Sequence, residues 1–461
     1  MKKTITITTA ALTAVALTAV ALTFALLAPK LLGFSVTQLG AAVRVATGMG
    51  AKLACSGYFI SGLDKNRILD DLASYSPANR LLDLHYGDNR VTAELLGLGH
   101  ASASYRDGLG CTLDIGDTSV LDRVRLAPLT SNGEEWPQGE TASHINVDLQ
   151  KRVETTLSRD NAAGLDTRAL LVVQDGVIAA EAYAPGIDAQ TPLLGWSMGK
   201  SVTAIMQGRL ETLGLADSTV KPVFAEWKSD ERARIALDDL LHMSSGLDFD
   251  ETYAPGSDAT EMLFNAHSAS DIALVRPATY TPGEHFSYSS GTTNLIARWI
   301  HERLGGDVQA SLDFLRQELL QPLNMAHTVF EMDPSGVFVG SSYLYASARD
   351  WARLGLLMLN RGQWEGTQLL SEDWVARATA PNTSANEPRY GYQFWLNSGG
   401  EELRYPQLPA DAYFMLGNRK QVVMISPSTN TVVVRLGWSA GSYPTGENFA
   451  GLLPQPDVAS D

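Results

Sequence analysis

The 461-residue sequence has few cysteines, a modest share of charged residues and no block of basic side chains. Its formal net charge is −16 at pH 7, and the lack of a Lys/Arg cluster argues against nucleic acid as a partner. Charged residues make up 19% and hydrophobic residues 45% of the chain, which is typical of a folded protein and not of a disordered one. The sequence also lacks internal repeats, and it has no low-complexity tract beyond its N-terminal run.

Cys55 and Cys111 are the only cysteines, and no Cys/His cluster lies near them, so a zinc-binding pattern is missing. We expect the two thiols to form a disulfide, because the N-terminus indicates export to an oxidising compartment. On the chain-entropy model, closing this loop contributes roughly 4 kcal/mol. The alternative is a pair of inert buried thiols.

The N-terminus carries the clearest targeting signal. Lys2 and Lys3 precede an uncharged run from Thr4 to Ala28, and a helix of that length, at ~1.5 Å per residue, crosses a ~30 Å hydrocarbon layer. No small-x-small cleavage site lies cleanly at the end of this run. We therefore interpret residues 1–30 as an uncleaved signal-anchor on the periplasmic face of the inner membrane. A cleaved signal peptide, with a periplasmic or secreted product, is the alternative.

The remaining chain is interpreted in three parts. Residues 31–145 form an N-terminal region with short alternating runs and no strong helical pattern after Gly50. Residues 146–450 form the main domain, and residues 451–461 form a tail.

The main domain has strand patterns at both ends and helical patterns between them. An Asp175-Gly176 turn joins two apolar runs near its start, and three further strands are predicted over 412–416, 421–425 and 431–436. Ser347 opens a helix as the first residue of a capping box with Asp350. The pattern predicts an α+β fold with one antiparallel sheet built from both ends, flanked by helices, and a helical subdomain.

The stretch Gly195-Trp196-Ser197-Met198-Gly199-Lys200-Ser201 precedes an amphipathic helix with one buried face. Ser197 is then placed at the helix N-terminus, with Lys200 one turn further along. A serine hydroxyl needs a base to take its proton as it attacks, and a neutral lysine amine can serve if burial lowers its pKa. The alternative is a solvated lysine beside a serine that only caps the helix.

Two more segments complete a candidate site. Tyr288, in Tyr288-Ser289-Ser290, could relay a proton to a leaving group, and we expect a cationic lysine nearby to stabilise its anion. The strand edge from Gly417 to Gln421 could supply a backbone N–H to an oxyanion.

In order and surroundings these segments resemble the serine β-lactamases and penicillin-binding proteins. They are most similar to the branch with class C β-lactamases, related esterases and 6-aminohexanoate-dimer hydrolases. Ser197 and Lys200 match the Ser-x-x-Lys motif, Tyr288 to Ser290 match Tyr-x-Asn, and Asn418 to Lys420 match the third motif in position. The resemblance covers about residues 150 to 440 and implies a β-lactamase-like fold.

The resemblance also implies a mechanism without metal or organic cofactor. Lys200 and Tyr288 activate Ser197, which attacks an ester, amide or lactam of a small-molecule or peptide-like substrate. The N–H groups of Ser197 and Gln421 hold the oxyanion, and Ser290 and Asn418 support the site. Ser290 replaces the family's asparagine, and the third motif has lost its glycine. This departure weakens the case for β-lactams, unless Arg419 or Lys420 binds their carboxylate.

Other interpretations stay open. Gly195 to Gly199 also matches the nucleophile elbow of α/β hydrolases, which requires a Ser-His-Asp triad. A D-Ala-D-Ala carboxypeptidase-like cell-wall enzyme and a non-catalytic binding scaffold are further alternatives. Asp250, Glu251 and Tyr253 are candidates for one pocket wall, and His242 is interpreted as a packed or capping residue.

Overall fold

A computed structural model describes residues 35–454 of the protein. Its α-helices are α1 Leu39–Phe59, α2 Lys65–Ala73, α3 Ser119–Asp122, α4 Val147–Ala162, α5 Met198–Thr212, α6 Leu237–Leu241, α7 Asp258–Phe264, α8 Ala269–Leu274, α9 Ser290–Arg303, α10 Val308–Leu315, α11 Ala348–Leu359, α12 Glu372–Ala378 and α13 Thr445–Ala450. Its strands are β1 Leu82–Tyr86, β2 Arg90–Leu95, β3 His100–Arg106, β4 Gly110–Leu113, β5 Thr167–Gln174, β6 Val177–Tyr183, β7 Leu193–Leu194, β8 Thr328–Phe330, β9 Leu344–Ala346, β10 Gln363–Trp364, β11 Thr367–Gln368, β12 Trp395–Leu396, β13 Tyr413–Gly417, β14 Gln421–Ser426 and β15 Thr431–Gly437.

The main sheet has the order β12-β13-β14-β15-β5-β6, and every neighbouring pair is antiparallel. It therefore combines strands from both ends of the main domain, and the predicted α+β architecture is confirmed. The β5–β6 turn has positive φ at Asp175 (51°) and Gly176 (84°), as a tight hairpin with right-handed twist requires.

Helices cover both faces of this sheet. Side chains of β5 alternate, so Leu170 and Val172 face α4 and α13, whereas Leu171 and Val173 join the larger core. On that side α11 packs on β14 and β15. Ser347 caps α11 as predicted, but Asp350 does not complete the capping box, because its carboxylate accepts the N–H of His327 and the hydroxyl of Thr328.

The N-terminal region consists mainly of α1 packed on the antiparallel sheet β1-β2-β3-β4. The expectation of no strong helix after Gly50 is wrong, since α1 continues to Phe59. The helix lacks a single apolar stripe because it is buried on two sides. A Cβ on Gly48 would lie 2.4 Å from the carbonyl oxygen of Phe264, and one on Gly50 would lie 3.0 Å from Leu82.

One buried disulfide cross-links the N-terminal region internally, and one buried ion pair connects it to the main domain. Cys55 and Cys111 form the predicted disulfide, which joins α1 to β4. Lys52 forms an ion pair with Glu331 of the main domain, and both side chains are buried. The Glu331 carboxylate also accepts the Ser56 hydroxyl at 2.8 Å and the Cys111 N–H at 2.6 Å. The two parts consequently share one hydrophobic core.

Over residues 35–454, none of the helices combines the length and the apolar character needed to span a bilayer. The apolar run Thr4–Ala28, on which the signal-anchor prediction depends, lies outside the described residues, as does most of the predicted tail.

Candidate active site

Ser197 immediately precedes α5, in the N-cap position, but its hydroxyl does not cap the helix. The turn before it is strained, because Trp196 has a φ of +49°, a conformation that bulky residues rarely adopt. Gly195 is needed in this turn, since a Cβ there would lie 2.2 Å from the ring of Trp351. Ser197 is half-buried in this turn, and because its hydroxyl makes no capping hydrogen bond, the simple capping interpretation is disfavoured.

Lys200 is buried in the first turn of α5 rather than solvated. Its Nζ lies 3.1 Å from Ser197 Oγ, 2.9 Å from Ser290 Oγ and 3.1 Å from the carbonyl oxygen of Ser341. Within residues 35–454, no carboxylate forms an ion pair with Lys200. Burial lowers the pKa of Lys200 to about 8, although the negative charge of Glu251 partly opposes this shift.

The partners of Lys200 determine where its lone pair points. The Ser341 carbonyl can only accept, and the Ser290 hydroxyl gives its own proton to Glu251 and so must accept from Lys200. The two hydrogens of a neutral amine are therefore committed to these two oxygens. The lone pair is left facing Ser197 Oγ, which is the arrangement required of a general base.

Glu251 and Tyr253 join this site from the loop after α6. The Glu251 carboxylate accepts the Ser290 hydroxyl, the backbone N–H of Ser290 at 2.7 Å and the Tyr253 phenol at 2.9 Å. It thereby caps the N-terminus of α9, where negative charge is favoured. Of the three residues considered for a pocket wall, only Asp250 turns away, accepting the N–H of Thr252 at 3.0 Å.

Tyr288 lies over Lys200, with its ring centroid 4.9 Å from Nζ. Its ring stacks on Trp395 at 5.3 Å and meets Tyr390 edge-on at 6.1 Å, so its orientation is firmly held. Burial raises the pKa of Tyr288, and a hydrogen bond with Ser197 only partly offsets this. The expected stabilisation of a phenolate is therefore wrong, because the lysine faces the ring and burial dominates. At neutral pH the raised pKa favours the protonated phenol of Tyr288.

The third segment is arranged differently from the sequence prediction. The Asn418 side chain is exposed and accepts the N–H of Arg419 at 2.7 Å. Gln421 pairs with Gly417 across the hairpin, and its side chain bonds both the N–H and the carbonyl of Gly437. The hydrogen bonds of both side chains stay within β13–β15 and the hairpin, and none of them is to Ser197 or Lys200.

The hairpin between β13 and β14 has positive φ at Arg419 (59°) and Lys420 (64°), where glycine is the usual residue. The guanidinium of Arg419 stacks on Tyr75 of the N-terminal region at 3.7 Å, and Lys420 is exposed. Tyr75 in turn meets Trp196, the neighbour of the nucleophile, at 6.2 Å between ring centroids. The N-terminal region thus packs against the turn that presents Ser197.

A different backbone group on β13 faces the site. The carbonyl of Ala412 accepts the N–H of Asn397, so the backbone N–H and C=O groups of Ala412 and Phe414 are directed toward β12. Since strand residues alternate, the N–H of Leu416 points the same way, beyond the end of β12. The neighbouring Gly417 lies against Gly195, because a Cβ on Gly417 would be 2.1 Å from the Gly195 carbonyl oxygen. Leu416 therefore presents an unpaired edge N–H beside the Ser197 turn.

The α/β-hydrolase alternative conflicts with this geometry, since its nucleophile elbow belongs to a mainly parallel sheet. His242 lies in a separate cluster, with Nδ1 3.2 Å from Asp238 and its ring against Tyr392. Within residues 35–454, no group of three or more His, Cys, Asp or Glu side chains could hold a metal ion.

The part of the chain that is similar to known proteins includes the residues of this site. Residues 153–448 match the profile of the family described as Beta-lactamase. A 6-aminohexanoate-dimer hydrolase of Paenarthrobacter ureafaciens is 26% identical over 335 residues, which span 66% of this chain and 78% of that protein.

Two solved structures share the fold. A Bacillus anthracis protein provisionally named as a 6-aminohexanoate-dimer hydrolase aligns with a TM-score of 0.57 at 21% identity, covering 73% of this chain and 91% of that one. A family VIII carboxylesterase aligns with a TM-score of 0.54 at 12% identity, covering 68% of this chain and 99% of that one. The matched family span contains Ser197, Lys200 and Tyr288 but not the N-terminal region.

Proposed function

The chain belongs to the β-lactamase family and is a serine hydrolase, and from this premise we propose that it cleaves an ester or amide through an acyl-enzyme on Ser197. The observation that supports this most is the hydrogen bonding of Lys200, which commits two amine hydrogens elsewhere and leaves the lone pair facing Ser197.

In the proposed reaction, Lys200 takes the proton of Ser197 as Oγ attacks the substrate carbonyl. The neutral phenol of Tyr288 then gives its proton to the leaving oxygen or nitrogen, and the proton held by Lys200 replaces it. Water attacks the acyl-enzyme with the same groups in reversed roles, which releases a carboxylic acid and restores the Ser197 hydroxyl.

We assign the oxyanion site to the N–H groups of Ser197 and Leu416. Leu416 replaces Gln421 in this role because Gln421 belongs to the hairpin pair with Gly417, whereas the Leu416 N–H faces the free edge. Two such donors stabilise charge that develops only in the transition state.

Linear amides and esters fit this site better than β-lactams. A β-lactam carboxylate needs a cation near the third segment, but Arg419 is stacked on Tyr75 and Lys420 is exposed. The name of one relative, a 6-aminohexanoate-dimer hydrolase, agrees with this preference.

The direct test compares p-nitrophenyl esters, the linear 6-aminohexanoate dimer, a D-Ala-D-Ala peptide and nitrocefin as substrates. Wild-type protein is expected to turn over an ester or linear amide and to be labelled on Ser197 by a fluorophosphonate, and Ser197→Ala is expected to do neither. Release of D-alanine would instead favour the cell-wall carboxypeptidase. A protein that neither turns over nor labels at any pH would be the non-catalytic scaffold.

The oxyanion assignment has its own prediction. Leu416→Pro removes the edge N–H at a position where the sheet does not use it, and we expect the acylation rate to fall about 10²–10³-fold. Stopped-flow measurement of acylation, with circular dichroism to verify folding, checks this. A folded variant that acylates at the wild-type rate would remove Leu416 from the oxyanion site.

A further inference from the structure

Exposed leucines cluster at one end of the N-terminal region. Leu96 and Leu98 lie in the turn between β2 and β3, with 67% and 66% of their surface exposed. Positive φ at Leu96 (52°) and Gly97 (69°) makes this turn tight, so both side chains project from its tip. Leu39, the first residue of α1, is 44% exposed. We call Leu39, Leu96 and Leu98 the leucine tip.

Contacts along α1 place the leucine tip at the N-terminal end of that helix. A Cβ on Gly99 would lie 2.6 Å from Val43 Cγ1, so the β2–β3 turn sits beside the first turns of α1. The opposite end of the small sheet lies at the other end of α1, where Tyr86 meets Tyr58 at 5.0 Å.

The chain that enters this end is apolar. The uncharged run Thr4–Ala28 lies between Lys3 and Lys30, and only six residues, 29–34, separate it from Ser35. Even fully extended, that connection spans about 25 Å. If the run is in a bilayer, Ser35 is held within that distance of the lipid surface, and the leucine tip at the same end of α1 is held near the lipid at a high effective concentration.

We propose that the leucine tip docks on the lipid bilayer, with Leu96 and Leu98 inserted at the boundary between headgroups and acyl chains. Exposed apolar side chains on a projecting turn are suited to this position. Charge attraction is not the driving force, because the chain carries a net charge of −16 and the nearby Arg44 is paired with Glu261. The docking is therefore expected to persist at high salt.

Docking in this way orients the active site. The side chain of Gln38, next to the leucine tip, donates to the carbonyl of Pro255 at 3.3 Å, and Gly256 lies against Ala41. This is the loop that carries Tyr253 into the site. The wall of the cleft is thus brought close to the membrane surface.

The test uses full-length protein reconstituted in phosphatidylcholine vesicles. Both native cysteines are in the disulfide, so Leu98→Cys adds the single free thiol for an environment-sensitive fluorophore. Leu215→Cys is the matched control, because Leu215 is a half-exposed loop leucine at the C-terminal ends of α5 and α9, away from the cleft. Quenching by lipids with a nitroxide at a defined depth measures insertion.

We expect lipid-borne quenching of the label at position 98 to exceed that at position 215 at least about threefold, in low and high salt alike. A Leu39→Asp/Leu96→Asp variant carrying the same label at position 98 should lose this excess while still floating with the vesicles. Equal quenching at both positions, or full-length protein that fails to float, would overturn the proposal. The outcome does not depend on whether the protein hydrolyses an ester or an amide.

Discussion

Lys52 and Lys200 are both almost completely buried, at 2% and 1% exposure, yet their surroundings differ in one respect. Lys52 faces the carboxylate of Glu331, whereas Lys200 faces two hydroxyls and a carbonyl. Burial lowers the pKa of both lysines, and it raises the pKa of Glu331. The difference teaches that burial alone does not make a general base: Lys200 lies against the hydroxyl of Ser197, whereas Lys52 lies against a buried carboxylate.

The lowered pKa of Lys200 increases the fraction of its side chain that is neutral at pH 7. With a pKa of about 8, about a tenth of the molecules carry the neutral amine at pH 7, against about 3 in 10,000 for an ordinary lysine. Lys52 is held instead by a paired carboxylate that also accepts Ser56 and Cys111. We therefore expect Lys200 to serve catalysis and Lys52 to attach the N-terminal region to the main domain.

The largest effect on activity is expected from replacing Lys200, the buried lysine of the active site. Lys200→Met should lower kcat/KM about 10²–10⁴-fold, the range for loss of a general base, while the free energy of unfolding changes by less than about 1.5 kcal/mol. Ester hydrolysis assays and urea unfolding measure the two quantities. If Lys200→Met kept its activity, the assignment of the base would fail.

The matched substitution Lys52→Met should do the reverse. It leaves Glu331 buried without its cation, and we expect unfolding to become easier by about 3–5 kcal/mol. The kcat/KM of the folded fraction should stay within about threefold of wild type. A Lys52→Met/Glu331→Leu double variant should recover only part of the stability, because removing Glu331 also leaves the buried N–H of Cys111 without its acceptor. Unchanged urea midpoints in the single variant would contradict a fastening role.

A smaller effect on activity is expected from replacing Glu251, whose carboxylate lies near Lys200 and holds Ser290. Glu251→Gln weakens the hold on Ser290, and we expect kcat/KM to fall about 10-fold, as for loss of a charge-assisted hydrogen bond of about 1.5 kcal/mol. Because the charge of Glu251 raises the pKa of Lys200, its removal should also shift the ascending limb of the pH–rate profile to lower pH. Asp250→Asn is the control, since that carboxylate only closes its own loop, and its profile should match wild type.

Much of the main domain follows from patterns that are visible in the sequence. The Asp175-Gly176 turn and the three terminal strands are local signals, and they lie together in the main sheet. Ser197 and Lys200 are three residues apart on a helix, so their contact needs no long-range information.

The parts that sequence could not give depend on tertiary contacts. The helix α1 carries no amphipathic stripe because Phe264 and Leu82 press on opposite sides of it, and no window of sequence shows those neighbours. The pairing of Ser290 with Glu251 joins residues 39 positions apart. The choice of Leu416 over Gln421 required the pairing of β12 with β13, which sets the direction of every N–H on that strand.

The most direct measurement is the pH dependence of Ser197 acylation, followed as the burst of p-nitrophenol from an ester. Lys200 acts as a base only when neutral, so the rate should rise with pH through an apparent pKa of about 8, and this limb should disappear in Lys200→Met. A rate that is flat from about pH 6 to 9, or a limb that survives in Lys200→Met, would contradict the assignment of Lys200 as the general base.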